Sequence, residues 1–193
     1  MKTIDQIYQA KIEIKKSTFL SFLCPFEDFQ TLMQKLRNEH LKAVHFVYAY
    51  RYLNEFDQII EDKSDDGEPK GTSAMPCLNV LRGALLVNCA VIVVRYFGGI
   101  KLGTGGLVRA YSDATNEAIL NATLLEFEAK NILNLNIPFH LYARFEHFLN
   151  KNNISYEKKF QENVELVLSV NAKEEEEFKK FAKEFEFSGL IWK

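Results

Sequence analysis

The sequence predicts an α+β protein with two domains, one in residues 1–125 and a smaller one in residues 126–193. Alternating or uniformly apolar runs, which are typical of strands, are interspersed with segments whose apolar residues recur at helical spacing. The last third of the chain shows these patterns in the order strand, helix, strand, strand, helix, strand. Because 47% of the 193 residues are hydrophobic, the chain can fill a core, and a disordered chain is excluded.

The first domain is predicted to mix strands and helices. Residues 8–14 alternate apolar and polar side chains, and the strand pattern extends through residues 15–23. Phe29, Leu32 and Leu36 recur at helical spacing within a helix predicted over 26–41. The other predicted elements are a strand over 44–53, a strand over 58–61, a helix over 76–86 with proline in its first turn, a buried strand over 90–96 and a helix from Thr104 or Gly105 to about Ala122.

The second domain is predicted to have the βαββαβ order. Its strands cover residues 129–137, 154–160, 164–171 and 187–192, and its helices cover residues 139–151 and 173–185. The polar residues 161–163 between the middle strands favour a hairpin turn. This order is the split βαβ pattern of ferredoxin-like domains.

Composition limits the classes of function. The 24 basic and 26 acidic residues give a net charge of −2, so no global positive field attracts nucleic acid or a membrane. Cys24, Cys77 and Cys89 are widely spaced and form no metal-binding pattern, which favours a reduced, cytoplasmic protein without metal or cofactor. The charged N-terminus does not resemble a signal peptide, and the apolar run 90–94 is too short to span a bilayer. We therefore expect no membrane partner.

A glycine-rich segment joins the predicted strand 90–96 to the helix that follows it. Five of the nine glycines lie there, and such a loop leaves backbone N–H groups uncovered at a helix N-terminus. Basic side chains flank it and favour an anionic partner. An alternative is a tight turn in which glycines only permit positive φ, although five exceed what one turn needs. The candidate anion- or nucleic-acid-binding residues are Arg95, Tyr96, Gly98, Gly99, Lys101, Gly103, Thr104, Gly105, Gly106 and Arg109.

The glycine-rich segment and the acidic residues upstream of it depart from three familiar motifs at identifiable positions. Thr104-Gly105 stands where a P-loop requires Lys-Ser/Thr, and Val108 occupies the last glycine position of a dinucleotide-binding loop. The acidic residues upstream begin like a calcium loop, but Ser73 occupies the position of its final glutamate. These departures exclude the three assignments.

The acidic segment 65–68 permits two interpretations. Its carboxylates have the chemistry to hold Mg²⁺ or accept a proton, or they cap nearby backbone, with Asp65 and Asp66 paired to Arg51 or Arg95. We favour the second interpretation and predict no metal. No catalytic residue is assigned, because no nucleophile has a recognisable setting. The residues predicted to support the same pocket are His45, Arg51, Asp65, Asp66, Glu68, Lys70 and Thr72.

Three segments resemble the IMPACT/YigZ family over essentially the whole organisation of the chain. They are AVHFVYAYR at residues 43–51, DDGEPKGT at 65–72 and VVRYFGGIKLGTGGLVRAYSDA at 93–114. Ser73-Ala74 departs from the Ala-Gly that the family usually shows. The resemblance implies an N-terminal ribosomal protein S5 domain 2-like domain and a C-terminal ferredoxin-like domain. It also implies a role in translation, which the family's eukaryotic members regulate.

Three functional hypotheses follow. The first is a non-catalytic RNA- or ribosome-associated regulator of translation, with RNA, the ribosome or a protein of the translation apparatus as partner. If Arg95, Lys101 and Arg109 each met a phosphate, log K would fall with log salt at a slope of about −2. The second is a phosphate- or nucleotide-dependent enzyme that combines the glycine loop with the acidic residues. The third is a protein-interaction module.

Overall fold

The computed structural model describes all residues from Met1 to Lys193 as a mixed α+β protein with antiparallel sheets, which confirms the predicted class. The chain divides into two units, Met1–Phe127 and Glu128–Lys193. None of the helices combines the length and the apolar character that crossing a membrane requires. The strands are β1 (Lys2–Thr3), β2 (Tyr8–Ile14), β3 (Ser17–Pro25), β4 (His45–Leu53), β5 (Ile59–Ser64), β6 (Cys89–Tyr96), β7 (Leu125–Glu126), β8 (Asn131–Ile137), β9 (Ser155–Phe160), β10 (Val164–Val170) and β11 (Ile191–Trp192). The helices are α1 (Phe29–Glu39), α2 (Ala74–Gly83), α3 (Thr104–Leu120), α4 (Phe139–Lys151) and α5 (Ala172–Lys183).

The first unit is built around a five-stranded sheet in the order β2-β3-β6-β4-β5. Strand β6 lies at its centre and is buried on both faces, as its continuous apolar run predicts. Val91 and Val93 pack against α2 and α3 on one face, whereas Ile92 and Val94 pack against α1 on the other. Strand β6 therefore ends between two helical layers. The side chain of Arg95 lies on the same face of β6 as Val91 and Val93, the face that packs against α3.

The N-terminal segment forms a hairpin and not one extended strand. Lys15 and Lys16 both have positive φ, 45° and 67°, and reverse the chain between β2 and β3. Such two-residue turns usually contain Asn or Gly, so the two lysines gave no turn signal. The short strands β1 and β7, which pair with each other, were not predicted, because a strand of two residues is too short to show an alternating pattern.

The second unit has the predicted βαββαβ order. Its sheet runs β11-β8-β10-β9, and α4 and α5 contribute Phe145 and Phe178 to the core on one face. The hairpin over 161–163 is confirmed, since Phe160 pairs with Val164. The last strand is shorter than predicted, because a 3₁₀ turn over Glu186–Ser188 occupies its first half.

Candidate functional site

A cleft of about 440 Å³ lies in the first unit between two segments that the sequence analysis singled out. We call residues 65–72 the acidic turn and residues 98–106 the glycine loop. Both contribute residues to the wall of the cleft, although Lys70, Gly71 and Thr72 of the acidic turn do not line it. The residues that line it are His45, Gly67, Glu68, Pro69, Arg95, Phe97, Lys101, Leu102, Gly103, Thr104 and Leu107.

The glycine loop presents the start of α3 at the wall of the cleft. Gly103 occupies the N-cap position with φ +73°, and no side chain caps the helix there. The first intrahelical bond runs from the N–H of Leu107 to the carbonyl of Gly103, at 2.9 Å. The N–H groups of Thr104, Gly105 and Gly106 therefore have no partner within the helix, and the helix dipole adds partial positive charge.

Two glycines of the same loop have structural roles. A Cβ on Gly98 would lie 2.0 Å from the carbonyl carbon of Lys16, so only glycine fits against the β2–β3 turn. The N–H of Gly98 also donates to Ser17 Oγ at 3.2 Å. Gly99 adopts φ +84°, which favours glycine. Gly105, in contrast, has nothing within 4 Å of its added Cβ, so packing does not require glycine there.

Arg95 forms the floor of the cleft and is already paired. Its Nη1 donates to Glu68, which is 3% exposed and also accepts a 2.8 Å hydrogen bond from the Tyr111 hydroxyl. Burial raises the pKa of Tyr111, so this phenol remains a hydrogen-bond donor. The Arg95 guanidinium also lies over the rings of Phe19 and Phe97, with its Cζ 5.4 and 5.7 Å from their centroids. The charge of Arg95 is thus neutralised within the protein, and Arg95 is not the free phosphate ligand that the sequence suggested.

His45 is held in one orientation at the edge of the cleft. Its Nδ1 lies 2.8 Å from the carbonyl oxygen of Asp66, which can only accept, so Nδ1 carries the proton in the neutral ring. Its Nε2 lies 3.8 Å from Glu68 Oε1 and is the atom left as a hydrogen-bond acceptor. His45 thus contributes to the wall of the cleft.

The carboxylates of the acidic turn are used for folding. Asp65 accepts hydrogen bonds from the N–H groups of Gly71 and Ala74, both at 2.8 Å, and from Ser73 Oγ at 2.5 Å. Burial alone raises the pKa of Asp65, but these bonds outweigh it and leave the pKa below its ordinary value. Asp65 thereby caps α2 from a distance. This confirms the prediction that an acidic-turn carboxylate caps backbone.

The prediction that Asp65 and Asp66 pair with Arg51 or Arg95 is wrong, since the Asp65 carboxylate binds only groups of residues 71–74. Asp66 pairs with Arg37 of α1 at 3.0 Å, and its second oxygen accepts the N–H of Phe46 at 2.6 Å. Arg51 lies six residues along β4 from His45, roughly 20 Å at the usual strand rise. There Arg51 binds Glu61 and the carbonyl of Leu86.

The Arg51 cluster is therefore a separate feature of the fold. The hydrogen bonds from Arg82, and then those from Arg51, lower the pKa of Glu61 to about 2. Arg51 is consequently removed from the set of pocket residues, because its side chain is bound at the opposite end of β4.

Further predicted site residues also lie outside the cleft. Tyr96 points to the α1 side of the sheet, where its hydroxyl lies 2.8 Å from His40 Nδ1. The Thr72 hydroxyl donates to the carbonyl of Pro69 at 2.6 Å, and Lys70 is exposed. Arg109 is exposed on α3 without lining the cleft. Of the three predicted phosphate-binding cations, only Lys101 is both unpaired and in the cleft wall.

The structure adds residues that sequence reasoning did not assign to the site. Helical spacing predicts Tyr111 only as a core position of α3, yet its hydroxyl donates a hydrogen bond to Glu68. Ser17, whose hydroxyl contacts Arg95 Nη2 at 3.5 Å and accepts from Gly98, gave no signal because it is distant in the chain. No three His, Cys, Asp or Glu side chains come close enough to hold a metal ion.

Comparisons with known proteins agree with the resemblance carried by the motifs. The family model for the Impact N-terminal domain matches residues 15–119. IMPACT family member YvyE of Bacillus subtilis (strain 168) is 33% identical over 186 residues, which cover 94% of this chain and 85% of that protein. An IMPACT family member of Haemophilus influenzae is 35% identical over 173 residues, or 86% of this chain and 82% of that protein. A solved structure of a hypothetical protein superposes with a TM-score of 0.77 at 30% identity, covering 99% of this chain and 95% of that one. The chain belongs to the IMPACT family.

Proposed function

We propose that this protein is a non-catalytic, RNA- or ribosome-associated regulator of translation in the cytoplasm, and that its cleft binds a phosphate group of RNA. The observation that carries the proposal is the uncapped start of α3 at the cleft wall, with Lys101 beside it. Backbone N–H groups at a helix N-terminus and a nearby ammonium group are a common arrangement for binding phosphate. The role in translation rests on the family resemblance.

The domain assignments are part of this proposal. The second unit places its first and third strands, β8 and β10, at the centre of the sheet, which supports the ferredoxin-like assignment for residues 126–193. For residues 1–125 we retain the ribosomal protein S5 domain 2-like assignment implied by the resemblance. Both folds occur in components of the translation apparatus, and this analogy supports the proposed partners.

The charges at the cleft indicate a local contact with RNA. Lys101 is exposed and has no carboxylate partner, whereas Arg95 is neutralised by Glu68. Phe97, which is 49% exposed, lies in the cleft wall and offers a ring on which a base can stack. One phosphate and one base are therefore the unit that this cleft accommodates.

This arrangement changes the expected salt dependence. With Lys101 alone in contact, log K should fall with log salt at a slope of about −0.7, and with exposed Arg109 added the slope should be about −1.4. The slope of about −2 expected from three cations does not apply, because Arg95 is paired with Glu68 and does not contact phosphate.

A second candidate function is an enzyme that acts on a phosphorylated small molecule. The observation that favours it is His45, whose Nε2 is held as an acceptor in the wall of the same cleft. Thermal unfolding with a panel of nucleotides and Mg²⁺ tests this function. A ligand at about 100 times its Kd adds about 2.7 kcal/mol of stability, and an unchanged Tm across the panel would count against the enzyme.

RNA binding is tested by fluorescence anisotropy with a labelled single-stranded RNA of about 12 nucleotides, measured between about 50 and 200 mM KCl. Lys101→Ala should raise Kd by about tenfold, the effect of losing one charge-assisted hydrogen bond. Lys70→Ala is the matched control, since Lys70 is also exposed but does not line the cleft. Equal losses in the two variants, or no binding by the wild type, would overturn the proposal. Co-sedimentation with ribosomes at the lower salt tests the larger partner.

A further inference from the structure

A second cavity lies in the second unit, between α4 and α5. This groove has a volume of about 490 Å³ and a floor of aromatic rings. The rings of Phe148 and Phe181 stack with centroids 4.1 Å apart, and Phe185 lies 5.1 Å from Phe181. The residues that line the groove are Ala143, Arg144, His147, Phe148, Lys151, Phe181, Glu184 and Phe185. Such a floor can take up a further aromatic side chain by edge-to-face or offset-stacked contact.

The α4 rim of this groove is basic. Arg144, His147 and Lys151 follow one another at helical spacing, so they share one edge of α4, and all three are exposed. Neither Arg144 nor Lys151 has a carboxylate partner within the protein. Lys158, in contrast, is paired with Glu146. The rim therefore holds unpaired positive charge beside an aromatic floor, and an acidic segment with an aromatic anchor complements it.

The chain itself contains such a segment immediately after α5. Phe187 has 102% of its reference exposure, the highest value among the large hydrophobic residues. It lies in the 3₁₀ turn Glu186–Ser188, with Glu186 beside it and exposed. Phe187 is also only two residues from Phe185, which lines the groove. The aromatic anchor therefore follows closely in the chain on a residue of its receptor.

We infer that a second copy of this chain fills the groove. Phe187 of each copy packs over Phe148 and Phe181 of the other, while Glu186 faces the rim of Arg144 and Lys151. A surface that carries both the anchor and the receptor is self-complementary, and a two-fold axis satisfies both halves at once. The partner is therefore a copy of this protein, and the product is a closed dimer. This surface lies entirely in the second unit and does not depend on the proposed function of the cleft.

Sedimentation velocity of the full-length protein, from about 1 to 100 µM, measures the dimerisation constant. The wild type should show a concentration-dependent dimer, and Phe187→Ala should weaken it by about tenfold or more, as for a buried aromatic anchor. Phe56→Ala is the matched control, because Phe56 is also highly exposed at 71% but lies in the first unit. A wild type that stays monomeric over the whole range, or equal effects of the two variants, would overturn the inference.

A charge exchange identifies the pairing. Arg144→Glu and Glu186→Arg should each abolish the homodimer, because each places like charges opposite one another in both halves of the interface. Mixing the two variants should restore association, since one half of the heterodimer then joins the two introduced side chains, which have opposite charges, and the other half keeps the native pair. Failure of the mixture to associate, with both variants folded by circular dichroism, would refute this pairing and with it the proposed dimer.

Discussion

The acidic turn and the glycine loop face one cleft, but they use their polar groups in opposite ways. Asp65, Asp66 and Glu68 all bind groups within the protein: the start of α2, the Arg37 side chain and the pair formed by Arg95 and Tyr111. The glycine loop instead leaves the start of α3 uncapped and Lys101 unpaired. One segment therefore holds the cleft in shape, and the other is available to a ligand.

This difference shows that a charged residue in a motif is not necessarily a ligand-binding residue. A carboxylate or guanidinium that is buried must be paired, because an isolated charge in the interior costs several kcal/mol. Glu68 and Arg95 satisfy each other for this reason and provide little for a substrate. The backbone N–H groups of a helix start carry no such requirement at the surface, since water or a ligand satisfies them.

The largest expected effect comes from breaking the buried pair in the cleft floor. Glu68→Gln removes the charge opposite Arg95, which is 5% exposed, and should cost roughly 3 kcal/mol of unfolding free energy. Urea denaturation at neutral pH measures the loss. Glu55→Gln, at an exposed and unpaired glutamate, should change stability by less than about 0.5 kcal/mol. Similar values for the two variants would mean that the acidic turn is not a structural support.

The next largest loss of stability is expected for a substitution in the glycine loop. Gly98→Ala places a Cβ against the backbone of Lys16 and should cost about 2 kcal/mol or more, because backbone cannot move aside easily. The readout is the urea midpoint at an unchanged m-value. An alanine tolerated without loss would show that the β2–β3 turn moves freely and that Gly98 is not a packing residue.

A smaller effect is expected at the remote cap of α2. Asp65→Asn should cost about 1 to 2 kcal/mol at neutral pH, the usual range for a lost helix cap. Because the folded pKa of Asp65 lies below its ordinary value of 3.8, its contribution is complete above that pH and is lost as pH falls through the folded pKa. The stability difference between wild type and variant should therefore shrink on acidification below about pH 4. A difference that grows on acidification would contradict the assigned role.

The smallest effect is expected at Gly105, in the same loop as Gly98. Gly105→Ala adds a methyl group to open space in the first turn of α3 and should leave stability unchanged or raise it by up to about 1 kcal/mol. Thermal unfolding beside Gly98→Ala gives the comparison directly. Destabilisation of similar size in both variants would remove the distinction between packed and free glycines.

Much of the fold followed from local patterns. Periodicity identified α4 at the same bounds, Phe139–Lys151, and the hairpin between β9 and β10 followed from three polar residues. Periodicity missed the turn at Lys15 and Lys16, because tertiary pairing of β2 with β3 imposes positive φ on residues without turn propensity.

The site was less predictable, because proximity along the chain does not decide which charges meet. Asp66 pairs with Arg37 and not with Arg95, although nothing in the sequence around the two arginines distinguishes them. Tyr96 follows Arg95 directly, yet strand geometry sends its side chain to the opposite face of the sheet. The glycine cluster showed where a site lies, but only the contacts separated Gly98, a packing residue, from Gly103, which lines the cleft.

The most direct test of the account follows backbone amides during a titration. In ¹H–¹⁵N spectra of the full-length protein with a short single-stranded RNA, the amide signals of Thr104 and Gly105 should shift with saturation. Those of Gly71 and Ala74, whose N–H groups bind Asp65, should not. Shifts confined to the acidic turn, or no shift at either segment, would contradict the division between a structural turn and an open helix start.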